Sequence, residues 1–247
     1  SDLVVMEAAR AIHDEPIPSA MNSLADMVAT SEGSKELLRR VLNANYRLGT
    51  AESAAKLAAF ASRESAVPEM RIEALEMLGK WAQPDPRDRV LNAHRPLAER
   101  EALVAKKALE PYVDSLITAP ESVREAAIEV ASKLGISGIA PVLVDRITNA
   151  SLSPATRAVS LAALNRLNPK RAVALAKQVK LKPVTALLPQ ALKVLAQHDS
   201  EASLPRFIEA TESRNLKVRQ LAWDILAEYG GPDAVATIEG GVRSYLA

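Results

Sequence analysis

Three histidines, two tryptophans and an acid-free run of cations are the residues of this chain best suited to chemistry. His13 precedes Asp14, His94 precedes Arg95 and His198 precedes Asp199. A helical metal site needs ligands about four residues apart on one face, and these three stand in separate parts of the chain. Each therefore reads as a surface or capping histidine. No Gly-x-Ser-x-Gly pattern presents a nucleophilic serine. Without cysteine the chain has no disulfide, thiolate metal site, Cys nucleophile or covalently held haem. No cofactor is expected. Trp81 and Trp223 could stack on a nucleobase, with Arg219 and Asp224 close to Trp223 on one helix. Trp81, however, takes the phase where other segments carry Leu134, Leu167 and Leu195, and Trp223 the phase of Ile128 and Leu161. Both read as packing.

Charge carries more information. The chain is nearly neutral at +1, yet residues 146–198 hold no Asp or Glu while carrying Arg146, Arg157, Arg166, Lys170, Arg171, Lys177, Lys180, Lys182 and Lys193. The rest of the chain is correspondingly acidic, so one region is strongly positive between negative flanks. Arg166, Lys170, Arg171, Lys177, Lys180 and Lys182 are the candidate contacts for an acidic protein or neighbouring domain. A basic solvated face is the plain alternative. Nucleic acid is disfavoured, because no aromatics interleave with the lysines.

A second candidate is the Pro- and Arg-rich stretch 83–102, which begins Gln83-Pro84-Asp85-Pro86-Arg87-Asp88-Arg89. Asp85-Pro86 should cap a short turn that projects Arg87 and Arg89, with His94 and Arg95 following. Loops longer than about 12–15 residues are often functional. Adjacent opposite charges also suggest a brace, with Arg87 and Arg89 pairing to Asp85, Asp88 or Glu99.

The elements that must position these residues are helices. Hydrophobic residues make up 48% of the chain but aromatics only 3%, and there are only nine glycines in 247 residues. Ala and Leu dominate, which suits close helix packing better than sheets. In residues 68–82 a Met-Arg pair is followed by Ala74, Leu78 and Trp81 on one face of a 3.6-residue period. The pattern recurs after Arg124, Arg157 and Arg219, and more weakly around Met6, Leu38 and Thr185. These anchors are about 33 residues apart except for one interval of 53, which contains the 83–102 insertion. Second helices are expected at 17–29, 51–62, 139–149, 170–180, 203–213 and 233–246. Pro18, Pro141 and Pro205 should sit in first turns, and Pro111 and Pro189 at a kink or late start.

Two helices per period of about 33 residues predict an all-α solenoid of about seven antiparallel helix pairs. The repeats are expected at residues 1–30, 31–66, 67–118, 119–150, 151–181, 182–213 and 214–247. No apolar run approaches the ~20 residues of a membrane span. The opening segment SDLVVMEAARAIHD reads as the body of a helix, so the chain is expected to be part of a longer protein.

The Val-Arg-x-x-Ala pattern followed by Leu-Gly resembles the HEAT-repeat family, in particular its bacterial lyase-like branch. MEAARAIHDEPIP, LLRRVLNANYRLGTAESAAKLAAFA and MRIEALEMLGKWAQPDPRDRV resemble the helical-repeat region of PVC-type haem-binding multidomain proteins. In those large exported bacterial proteins such repeats lie between a β-propeller and a c-type haem domain. This chain has no Cys-x-x-Cys-His motif. The resemblance therefore implies a connecting or docking role, in an exported setting, rather than redox chemistry. The alternative it leaves open is a HEAT-like nucleic-acid-binding protein, glycosylase or lyase.

Overall fold

The computed structural model describes residues 2–29 and 34–246, without the side chains of 242 and 244–246. The expected boundary between the first two repeats, between residues 30 and 31, lies outside the described residues. The fold is all-α: no strand occurs among the described residues, only an isolated antiparallel bridge between Arg87 and His94. No described helix is long and apolar enough to cross a membrane. The chain divides into two compact units, residues 1–139 and 140–247.

The first unit contains α1 (Asp2–Asp14), α2 (Pro18–Asp26), α3 (Lys35–Leu48), α4 (Ala51–Ser62), α5 (Pro68–Gly79), α6 (Ala102–Leu109), α7 (Val113–Leu116) and α8 (Glu121–Lys133). Helices adjacent in sequence pack together, α6 and α7 by way of the 3-10 turn between them, and α1, α3, α5 and α8 also pack on one another in succession. Ser34 and Thr50 cap α3 and α4 by accepting hydrogen bonds from the Leu37 and Ser53 N–H groups. Gly49 ends α3 at φ 69°, and a side chain there would also meet the Arg100 guanidinium. Pro111 falls in a 3-10 turn between α6 and α7, the interruption its missing N–H demands. The core is filled by Phe60, Leu42, Leu57, Leu75, Met77 and Trp81, all essentially inaccessible.

The second unit contains α9 (Ala140–Thr148), α10 (Pro154–Leu167), α11 (Pro169–Ala176), α12 (Leu187–His198), α13 (Ser200–Ala210), α14 (Leu216–Tyr229) and α15 (Pro232–Leu246). Consecutive helices again pack together, and α10, α12 and α14 pack in succession around Leu161, Leu164, Leu192 and Phe207. Ser153 and Asn168 cap α10 and α11 ahead of their first-turn prolines.

The repeat arginine has a structural task. Arg71 Nε donates to the Ala61 carbonyl at 2.7 Å, and Arg157 Nε donates to the Ile147 carbonyl at 2.7 Å. Both bonds span ten residues and close the last turn of the preceding helix, where carbonyls lack helical partners and the dipole favours a cation. Arg219 reaches the Ser213 carbonyl instead.

Four helix expectations are corrected. Thr185 precedes α12 rather than lying in it; the helix starts at Leu187, the late start expected at Pro189, which falls in the first turn. Pro205 lies inside α13 rather than in its first turn, because the helix already starts at Ser200; Asp199 before it makes no side-chain capping bond and accepts instead from the Ser203 hydroxyl at 2.7 Å. The expected helix 170–180 stops at Ala176, and residues 177–186 form an irregular connection. The insertion begins at Lys80, directly after α5, and ends before α6 at Ala102.

Candidate docking surfaces

The insertion folds back on itself before it meets the first unit. Asp88 N–H donates to the Ala93 carbonyl, Asn92 N–H to the Asp88 carbonyl, and Arg95 N–H to the Pro86 carbonyl, at 2.9, 2.8 and 2.9 Å. Asn92 adopts φ 54° at the turn, a conformation asparagine tolerates better than most residues. Asp85 Oδ1 accepts from Arg87 N–H at 2.9 Å, the turn expected from Asp85-Pro86.

Asp88 pins this loop to α3. Its side chain is fully buried and ion-paired to Arg47 at 3.1 Å and Arg95 at 3.5 Å. Oδ2 also accepts from Asn43 Nδ2 at 3.0 Å, while Oδ1 accepts the Val90 and Leu91 N–H groups. Burial works to raise the Asp88 pKa, but the Leu91 and Val90 N–H bonds, with His13 and Asn43, outweigh it. The carboxyl is held below its ordinary range.

The network continues into α1. Asn43 Nδ2 stands 2.8 Å from His13 Nε2, and His13 Nδ1 stands 2.8 Å from Asp14 Oδ1. Asp14 in turn accepts two bonds from Arg40, at 3.1 and 2.8 Å. Neutral His13 protonated at Nδ1 satisfies both of its contacts. Burial lowers the His13 pKa against the pull of Asp14 and Asp88. His13 is thus neither a surface nor a capping residue. It is completely buried, because the insertion covers the end of α1 and the outer face of α3.

Burial along α3 reflects that cover. Leu37, Leu38, Val41, Leu42, Asn43, Ala44, Asn45 and Tyr46 are all buried, far more than one apolar stripe requires. The missed signal was the polar stripe Arg40, Asn43, Arg47, whose i, i+3, i+7 spacing aligns it on one face.

The other insertion cations are engaged, but not as expected. Arg89 pairs with Glu76 at 2.6 Å, and the Arg87 side chain donates to the Asn92 carbonyl at 2.8 Å. Neither pairs with the carboxylates of Asp85, Asp88 or Glu99, because Asp88 is turned inward to Arg47. Arg95 also donates to the His13 carbonyl at 3.2 Å, and His94 is exposed. Arg100 holds the exit of the loop: it donates to the Tyr46 carbonyl at 2.6 Å and lies 4.7 Å from the Trp81 ring centre. Trp81 beneath it is 1% exposed and closed to any stacking ligand.

In the second unit the basic candidates lie on the surface. Arg166, Lys170, Arg171, Lys177, Lys180 and Lys182 are all exposed. Lys170 and Arg171 occupy the first turn of α11, where the helix dipole disfavours cations, and no acid accompanies them there. Lys177 pairs with Asp199 at 3.0 Å; hydrogen bonds from Ser203 and then Lys177 hold the Asp199 carboxyl below its ordinary range. Arg146 leaves the basic surface: it is 8% exposed and its Nε donates to Ser160 at 3.2 Å. Arg157 spends one donor on the Ile147 carbonyl, as described above. No group of three or more His, Asp or Glu residues that could hold a metal ion occurs among the described residues.

Comparisons with protein-family models, curated proteins and solved structures find no match to this chain.

Proposed function

We propose that this chain is a non-catalytic interaction scaffold of the HEAT-like solenoid type, serving a larger, exported multidomain protein. The observation that carries the reading is the cluster Arg166, Lys170, Arg171, Lys177, Lys180 and Lys182, exposed within a segment that has no acid of its own. Such a surface attracts an acidic protein or neighbouring domain and orients it on approach. The successive packing of α1, α3, α5 and α8, and of α10, α12 and α14, supports the solenoid reading, about seven pairs interrupted once by the insertion. The insertion's charges are largely absorbed by the first unit, so Arg87, Arg89, His94 and Arg95 form the secondary contact of this proposal and the basic segment the primary one.

The test is binding of fluorescent polyglutamate, by anisotropy at low and moderate salt, to the chain and to a variant with Lys177, Lys180 and Lys182 changed to Glu. Binding that weakens with salt and falls at least tenfold in the variant supports the reading. Absence of binding at low salt, or equal binding by the variant, removes it. Single- and double-stranded DNA in the same assay separate the nucleic-acid alternative. DNA binding far tighter than polyglutamate, with a steep salt slope, would favour that alternative.

A further inference from the structure

We propose that a groove in the second unit, floored by Ile147, Leu175 and Leu187 and edged by Arg157 and Lys180, takes an acidic peptide segment that carries an apolar side chain. The proposal rests on the docking reading above and narrows its partner. The groove has a volume of about 560 Å³, within the range of roughly 300–1,000 Å³ typical of ligand-holding pockets.

Its chemistry is one-sided. Arg157 and Lys180 are the charged residues lining it, and no acid does. Arg157 uses Nε to close the last turn of α9, which fixes the guanidinium at the groove wall. Its two terminal nitrogens make no hydrogen bond among the described residues. Lys180 is exposed and has no ion pair among them. The groove therefore offers a fixed fork of donors and a mobile ammonium, which suits carboxylates along a chain.

The floor argues against a bare anion. Ile147, Leu175 and Leu187 are 3, 5 and 4% exposed, and Val179 and Pro183 extend the apolar wall to the rim. An apolar side chain lying between the two cations would cover Val179 and Pro183, the apolar surface left open above that nearly inaccessible floor. A nucleic-acid strand fits less well, because no aromatic ring lines the groove to stack on a base.

Other depressions lack this bias. In the first unit, the cleft of about 480 Å³ beside the insertion has its acids already matched: Glu73 to Arg39, Glu76 to Arg89 and Asp85 to Lys80. In the second unit, the groove at Leu181, Lys182 and Val184 faces Glu209 and Glu212 as well as Arg214, so its charges are mixed.

The test uses the whole chain and three fluorescent peptides of equal length: Glu-rich with a central Leu, the same with Ser for Leu, and the Lys-rich counterpart with Leu. The chain should bind the Glu/Leu peptide at least tenfold tighter than the Glu/Ser peptide, and should not bind the Lys/Leu peptide. Lys180→Glu and, separately, Gln178→Glu at the exposed rim should each weaken the Glu/Leu peptide severalfold, whereas Lys193→Glu should leave it unchanged. Circular dichroism melts verify that each variant is folded. Equal binding of the Glu/Leu and Glu/Ser peptides, with polyglutamate still bound, overturns the groove while the docking reading stands. Equal loss in the Lys193→Glu variant, or single-stranded DNA binding as tightly as the Glu/Leu peptide, also overturns it. Failure of every acidic ligand at low salt sinks both.

Discussion

Asn43 Nδ2 lies 3.0 Å from Asp88 Oδ2, and through this contact a residue of α3 holds a residue of the inserted loop inside the first unit. The same amide nitrogen lies 2.8 Å from His13 Nε2, so one short side chain joins α1, α3 and the insertion. Every member depends on the others being in place.

Asp88→Asn should therefore destabilise the first unit. The change keeps the shape but leaves Arg47 and Arg95 without their carboxylate, and unpairing a buried charge costs about 3–5 kcal/mol. Asn43→Leu should cost less, about 1–3 kcal/mol, by leaving acceptors unsatisfied. Urea unfolding measures both effects. Limited trypsin digestion should at the same time open cleavage after Arg87 and Arg89 in the Asp88 variant. A loss under about 1 kcal/mol with no new cleavage would show that Asp88 does not pin the loop.

Stability should fall in mild acid, and the sign follows from His13. Its folded pKa lies below the unfolded value of about 6.5, so the unfolded chain binds the proton more readily. The His13 contribution is complete above that value and is lost as pH falls below it. Protonation puts a second N–H at Nε2, facing the Asn43 amide, while Asp14, Asp88, Arg40, Arg47 and Arg95 surround the site. Asp14 and Asp88, both held below their ordinary range, add a further loss at lower pH, as the solution falls through their folded values. Thermal melts at pH 7.5 and 5.5 should differ for the natural chain and differ less for His13→Gln. An unchanged difference would place the acid sensitivity elsewhere.

Arg71 should matter for stability rather than binding, and Arg157 for stability as well as for the groove. Arg71 is 3% exposed and donates to Ala61, so Arg71→Met should cost about 1.5–3 kcal/mol, the range for a hydrogen bond from a charged donor. Arg157→Met removes the equivalent bond to Ile147 and should destabilise the second unit in the same direction. Denaturant midpoints test this, and loss of polyglutamate binding in Arg71→Met without loss of stability would contradict it.

Local sequence determined the helices and most of their ends. A 3.6-residue apolar period selects one buried face, and Ser34, Ser153, Asn168, Gly49 and Gly230 act within a single turn of chain. Proline effects are local in the same way, except at Pro205, which lies inside a helix that starts five residues earlier, at Ser200. The exposed cations were also legible, since a long acid-free run on helices with an apolar core has few places to go.

What the insertion holds was decided only by the tertiary structure. His13, Asn43 and Asp88 are separated by 30 and 45 residues, and nothing in their spacing announces a contact. The pairing arises because the loop closes over α3 and removes water from a polar stripe that would otherwise have remained solvated. Once water is excluded, each buried polar group must find its partner within the protein. Asp88 therefore turned inward to Arg47, and Arg89 paired with Glu76 of α5, leaving local pairing within the loop unused.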